Sequence, residues 1–370
     1  MAAESNLTLQ QVRESNARID ASTYPRTAVF VGGTAGIGQA AIAELVHVSA
    51  RNNIKIPSRI YIIGREQSAE RTKKALDILR AENPNAELVW MAGDVSLLAD
   101  VKRLCEEIKD RETSLDLLFL STGYSPFGGR EETTEGLVVT QALGHYSRML
   151  FIHRLLPLLQ ANRQGCREGP KGGKVVSLLG AGREFASIST TDIQLRNPGA
   201  WSGYRIQGHT GTQHTICLER MAEANPSVSF IHAGPGLVNT GNLNRGWGNH
   251  WILQGLANVA LAPFFAFLAM NLGEAGERMV FLMTSGRFAP ITSTGASVQG
   301  EDLDGPSGMG GVELEGVKKG ITTRRKEGGG LYLVGWKGRC WLNEHVLTQL
   351  RDEKGDAIWK ETMEVLGPHL

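Results

Sequence analysis

The sequence predicts an α/β protein built as a doubly wound parallel sheet, followed by a helical lid and a C-terminal extension. Three observations carry this. Short, uniformly apolar runs alternate with helical stretches from Thr27 to Gly236. Such runs read as strands buried on both faces, and their alternation with helices demands right-handed crossovers. A glycine cluster, Gly32, Gly36 and Gly38, separates the first run from the first helix. Past Thr240 the alternation stops.

Residues 1–24 read as a helix and linker. Thr27 to Gly33 is a buried strand running into a glycine turn, and a helix follows from Ile37 to Ser49. Strand two is Arg59 to Gly64, and the helix Glu66 to Glu82 stops before Asn83-Pro84, where proline disfavours further turns. Strands three and four, Glu87 to Val95 and Leu115 to Gly123, flank a helix from Leu98 to Arg111. A long helix spans Leu137 to Leu159, with Arg148, His153 and Arg154 expected on solvated or interface faces. Strand five is Gly173 to Gly182, the next helix Tyr204 to Ala224, and strand six Ser227 to Gly236. The apolar segment Trp251 to Leu272 carries Gln254, Asn258 and Pro263, so it reads as a lid or core helix over an apolar ligand and not as a membrane span. A helix from Leu272 to Thr284, a glycine-rich loop from Gly300 to Gly330 and a final helix from Trp341 to Leu366 complete the chain. The expected layout is a leader (1–24), a dinucleotide-binding unit (25–290, lid 241–290) and an extension (291–370).

Composition narrows the function. The 39 basic and 38 acidic side chains leave a net charge of +1, which gives no field for nucleic acid. Cys105, Cys166, Cys217 and Cys340 are scattered, with no C-x-x-C pair, so neither a metal site nor a disulfide framework is expected. The polar N-terminus is not a secretory signal, and a cytoplasmic location is expected, without membrane contact. Glycine is the outlier: 45 of 370 residues, about 12% against a usual level of about 7%. Gly32, Gly36 and Gly38 give part of that excess a purpose, because a bare turn before a helix N-terminus lets a pyrophosphate approach free N–H groups. Strand two ends at Gly64-Arg65, where an NAD enzyme often places an acid. Arg65 suits a 2′-phosphate, so NADP(H) is the expected cofactor.

These motifs resemble the short-chain dehydrogenase/reductase family from about Ala28 to Thr240, with a Rossmann-like fold implied. Val31 to Gly38, VGGTAGIG, matches the family's glycine motif and places Gly32, Thr34, Gly36, Ile37 and Gly38 at the cofactor. By the same resemblance Asp94-Val95 contacts adenine, Gly123 at the end of the segment after strand four also binds the cofactor, and Pro235-Gly236 with Thr240 touches the nicotinamide end. The leader SNARID, the run TGYSPFGGREETTEGL, YSRMLFIHRLLPLL and the ending WKETMEVLG resemble fungal secondary-metabolism members more narrowly. A homodimer is a further implication of the family.

The family's proton relay is where the sequence departs. A Tyr, a Lys four residues later, a Ser and an Asn are expected. Here the Asn-Asn-Ala-Gly segment reads Leu120-Ser121-Thr122-Gly123, the helix Asn falls near Gly144 and the Ser near Leu179 or Gly180. The Tyr position falls at Trp201 or Ser202 and the Lys position at Arg205 or Ile206, while Tyr204 is followed four residues on by Gly208. Candidate substitutes are Tyr204, Arg205 and His209, with Trp201, Arg205 and His209 spaced to share one helix face, and Tyr124 after strand four. His145 and Tyr146 are expected to face the same cleft. The resulting expectation is an NADP(H)-dependent oxidoreductase for a small apolar natural-product intermediate with a non-standard relay. A redox-neutral isomerase, dehydratase or cyclase, and a non-catalytic cofactor-binding partner, are the alternatives.

Overall fold

A computed structural model describes residues 6–123, 126, 129–161, 172–240, 269–290, 311–325 and 330–370. Seven parallel strands form one sheet in the order β3-β2-β1-β4-β5-β6-β7. They are β1 (Thr27–Val31), β2 (Ser58–Gly64), β3 (Ala86–Ala92), β4 (Leu117–Leu120), β5 (Lys174–Leu178), β6 (Ser229–Ala233) and β7 (Gly330–Val334). Every residue of β1, β4, β5 and β6 is buried, because helices cover both faces of a parallel sheet. Alternate residues therefore feed two cores: Val29, Tyr61 and Leu118 on one side, Phe30, Ile62 and Phe119 on the other.

The helices are α1 (Leu9–Ala17), α2 (Gly36–Arg51), α3 (Ala69–Glu82), α4 (Leu98–Lys109), the short α5 (Val139–Gln141), α6 (Ser147–Gln160), α7 (Gly203–Ala224), α8 (Leu272–Thr284), α9 (Glu344–Glu353) and α10 (Gly355–Leu366). On α4, Leu98, Val101, Leu104, Cys105 and Ile108 form the buried stripe that helical periodicity produces, each such apolar side chain contributing roughly 1.5–3 kcal/mol. After β1 the chain moves outward through β2 and β3, then returns to place β4 against the other side of β1. That reversal opens a crevice at the carboxyl ends of β1 and β4, where open α/β sheets bind ligands.

Four expectations are corrected. The extension supplies a strand: β7 pairs with β6 from Ser229↔Gly330 to Ala233↔Val334, so residues after 291 complete the sheet. The single final helix is two, α9 and α10, broken at Lys354, and Trp341 precedes both. The long helix from Leu137 is interrupted by a π turn, Ala142–Tyr146, between α5 and α6. Its polar residues are not solvated: Arg148 is 1% exposed, while Arg154 donates to His369 O at 2.6 Å and His153 packs beside the Trp359 ring. The C-terminal helices cover that side of α6.

The expected lid falls mostly outside the described residues (251–268), and so does Tyr124. Within the glycine-rich stretch, residues 311–325 form no helix or strand. Among the described residues no helix is long and apolar enough to cross a membrane.

Candidate active site

The glycine turn is built by sterics. Gly32 and Gly36 hold positive φ, +96° and +59°, which glycine alone adopts without strain. A Cβ on Gly38 would stand 2.4 Å from Gly32 O, and one on Gly32 would stand 2.9 Å from both Ser121 Oγ and Thr122 N. Bare backbone is thus required for the turn to close against β4. Helix α2 starts there with Ala35 at its N-cap, no side-chain cap and no acid in its first turn. Its first N–H groups are left to an anion. Ile37 packs with Val238 and Met270, and Thr240 lies against Gly36, which brings the segment after β6 onto the turn.

The end of β2 adds cations. Arg65 is exposed, and Arg71 Nη2 donates to Thr34 O at 3.4 Å. Thr34 also crowds Gly64, where a Cβ would lie 2.2 Å from Thr34 Cγ2. Asp94 Oδ1 accepts from Ser96 N and Oγ at 3.0 and 2.7 Å, so the carboxylate shapes its own turn, with Val95 buried beside it.

The relay positions are filled by other chemistry. A Cβ on Gly144 would lie 2.6 Å from Thr210 Cγ2 and 3.6 Å from Leu179 Cδ1, so these three positions meet through carbon. Gly180 faces open space. A Cβ on Gly208, four residues after Tyr204, would lie 1.6 Å from two atoms of the Phe185 ring. Phe185 occupies the room a lysine would need, and its ring stacks on Tyr204 at 6.2 Å and 9°.

Helix α7 begins at Ser202, whose Oγ accepts from Arg205 N at 3.1 Å as an N-cap. Tyr204 follows at once and is 82% exposed. The other candidates do not join it. Arg205 is exposed and donates to Ala200 O at 3.1 Å. His209 is buried with Nδ1 3.2 Å from Ile193 O, and burial pushes its pKa down. Trp201 sits in a small cluster with Val138, Leu195 and Ile206. His145 and Tyr146 are turned away from the cleft: His145 Nε2 is 2.9 Å from Thr362 Oγ1, and Tyr146 donates to Glu361 at 2.5 Å. The expected shared helix face does not include Trp201, which precedes the N-cap Ser202, and of the other two Arg205 is exposed while His209 is buried.

Sequence reasoning missed a buried polar group directly beneath the relay positions. Arg148 Nη1 donates to Ser177 Oγ at 2.7 Å and Leu178 O at 2.8 Å, Nε donates to Leu143 O at 3.1 Å, and Nη2 donates to Thr122 O. One guanidinium thus ties the ends of β4 and β5 to the π turn. Burial lowers its pKa to about 9, which leaves it charged at neutral pH. Ser177 Oγ is 2.7 Å from His214 Nε2, and the His214 ring stands 5.3 Å from His232 and 5.7 Å from His145. His232 Nδ1 meets Thr215 Oγ1 at 2.8 Å, and Thr215 donates to Glu184 at 2.9 Å. The signal for this group was present: polar residues inside otherwise apolar runs at Ser177 and His232. Among the described residues no cluster of His, Cys, Asp or Glu is placed to hold a metal. A cavity of about 780 Å³, lined by Arg26, Arg59, Arg80 and Glu112 among others, lies at the opposite, amino-terminal edge of the strands, away from this chemistry.

A Rossmann-like sheet with a bare glycine turn at its reversal point defines a dinucleotide-binding class of fold. A family model, the KR domain, matches residues 27–126. The chain is 33% identical to the NmrA-like family domain-containing oxidoreductase notO of Aspergillus sp. (strain MF297-2), over 96% of this chain and 94% of that one. It is 34% identical to an oxidoreductase of Emericella nidulans, over 96% and 97% of the two chains. A solved structure of a putative uncharacterized protein from Mycobacterium paratuberculosis shares the fold, with a TM-score of 0.54 at 14% identity over 95% of this chain and 97% of that one. The chain belongs to the short-chain dehydrogenase/reductase family.

Proposed function

We propose that this chain is an NADP(H)-dependent oxidoreductase acting on an apolar natural-product intermediate through a non-standard proton relay. The observation that carries the proposal is the uncapped N-terminus of α2 behind Gly32, Gly36 and Gly38, with Arg65 and Arg71 at the end of β2. These residues suit a pyrophosphate and a 2′-phosphate respectively. When bound, NADP(H) supplies or takes the hydride. Tyr204, exposed at the start of α7 with its ring parallel to that of Phe185, is the group we assign to hold or move the proton at its hydroxyl. Arg148 is a positioning residue: it holds Thr122, two residues past β4, and Leu178, the last residue of β5. The resemblance to fungal secondary-metabolism members supports the substrate class, and the oxidoreductase names of the two fungal relatives support the reaction class.

The test is NADPH consumption at 340 nm with apolar carbonyl compounds, comparing wild type with Tyr204→Phe. Turnover that falls at least tenfold in the variant supports both the redox reaction and the assigned proton donor. A second reading rests on one observation: Phe185 fills the space beside Gly208, the position four residues after Tyr204 where a lysine would accompany a phenol there. That arrangement favours a redox-neutral isomerisation, dehydration or cyclisation, and conversion of substrate with no net change at 340 nm would identify it.

A further inference from the structure

We propose that the turn after β7 is a ligand platform, on which Trp336 and Trp341 take the planar body of a conjugated organic acid while Lys337 and Arg339 take its acidic group. It goes beyond the proposed function by giving the otherwise apolar substrate one acidic group, and it rests on that reading only for calling the ligand a substrate.

Trp336 is 41% exposed and Trp341 46%, and Leu342 beside them is also exposed. Large aromatic side chains grouped in this way on a surface mark a binding site more often than single exposed residues do. Their placement is fixed by bare backbone. A Cβ on Gly236 would lie 2.8 Å from Trp336 Cγ, one on Gly182 3.1 Å from Trp341 Cγ, and one on Gly335 2.2 Å from Trp341 Nε1. Gly236 and Gly182 hold φ of +74° and +80°. These glycines follow β6 and β5, so the tryptophans sit at the carboxyl edge of the sheet, the same edge as the glycine turn. The turn is held by Gly335 N to Arg339 O at 2.9 Å, Trp341 N to Leu333 O at 2.7 Å and Leu7 N to Lys337 O at 2.9 Å.

The charges indicate the ligand. Lys337 Nζ lies 4.6 Å from the Trp336 ring centre, and the Arg339 guanidinium 5.7 Å from that of Trp341. Among the described residues neither cation is paired with a carboxylate, and Arg339 Nε is buried without a hydrogen-bond partner. Arg278, which also approaches Trp336, is by contrast engaged by Glu274. Lys337 and Arg339 each lie over one of these rings with no carboxylate partner among the described residues, and the exposed parts of the two tryptophans next to those charges complement a flat molecule carrying one negative charge.

The experiment is calorimetric titration of the full chain with 2-naphthoate and with the neutral 2-naphthamide, without cofactor. Wild type is expected to bind the acid at least tenfold more tightly than the amide. Trp341→Ala should weaken both at least tenfold, and Trp341→Phe should recover part of that loss. Arg339→Gln should abolish the preference for the acid and leave amide binding unchanged. Equal binding by wild type and Trp341→Ala, or no acid preference in wild type, overturns the proposal. So does capture by phosphatidylserine vesicles with no naphthoate binding, which would assign the patch to a membrane surface. Because no turnover is read, a chain inert toward NADPH that still binds naphthoate would sink the redox reading alone.

Discussion

Arg148 donates to Ser177 from within the core, 2.7 Å from Nη1 to Oγ, with no carboxylate among the described residues to balance its charge. Four hydrogen bonds instead run from its guanidinium to the Ser177 hydroxyl and to the carbonyl oxygens of Leu178, Thr122 and, in the π turn, Leu143. Such a residue is costly to bury and costly to remove. Arg148→Met strands those acceptors, and each hydrogen bond to a charged group contributes about 1.5–3 kcal/mol, so a loss of about 3 kcal/mol or more is expected. Urea unfolding measures it. Arg148→Lys should not rescue, since one ammonium cannot reach the same span of acceptors. A variant within about 0.5 kcal/mol of wild type would refute the clamp.

Much of the fold was legible because its signals are local. Uniform burial of β1, β4, β5 and β6 gives apolar runs, and the α4 stripe gives a helical period. β7 escaped because LYLV is short and borders a glycine-rich stretch without periodicity. The break between α9 and α10 escaped because Lys354 is an ordinary helix former, and tertiary packing decides its backbone. At the site, the glycine turn was legible because a turn must be bare wherever backbone approaches backbone. The relay region was not. Whether His209 or Tyr204 reaches the cleft depends on how α7 is rotated against residues far away in sequence, and Phe185 in the space beside Gly208 leaves no mark in the spacing.

That filled space is itself testable. Gly208→Lys alone must displace Phe185 and is expected to destabilise by roughly 1–3 kcal/mol, as overpacking does. Adding Phe185→Ala should return most of that loss, giving a favourable coupling between neighbours. Thermal unfolding of the two single variants and the pair decides. Additive losses would mean the two positions do not share one space.

Acid should unfold this protein early. Burial and the nearby Arg148 charge lower the pKa of His145 and His232 to about 3, and burial pushes His214 well below its ordinary value. The unfolded chain binds protons at these imidazoles near pH 6.5, whereas the folded chain refuses them. Stability from the neutral imidazoles is therefore complete above about pH 6.5 and is lost progressively as pH falls toward 3. His232→Gln should flatten the slope of unfolding free energy against pH between 6.5 and 4. An unchanged slope would show that the imidazoles do not govern it.

The glycine turn makes a sharper demand at Gly38 than at Gly36. Gly36→Ala puts a side chain at φ +59° and should cost about 1–2 kcal/mol. Gly38→Ala drives a methyl against Gly32 O and should distort the turn itself. Its expected signature is at least a tenfold loss of NADPH affinity with a smaller change in thermal midpoint. Affinity that survives Gly38→Ala would remove the turn from the cofactor site.

The most direct measurement is a fluorescence titration of wild type and Arg65→Gln with NADPH and with NADH. Wild type should bind NADPH at least tenfold more tightly than NADH, and Arg65→Gln should narrow that gap by weakening NADPH alone. Binding of neither nucleotide, or equal affinity of wild type for both, would contradict the account.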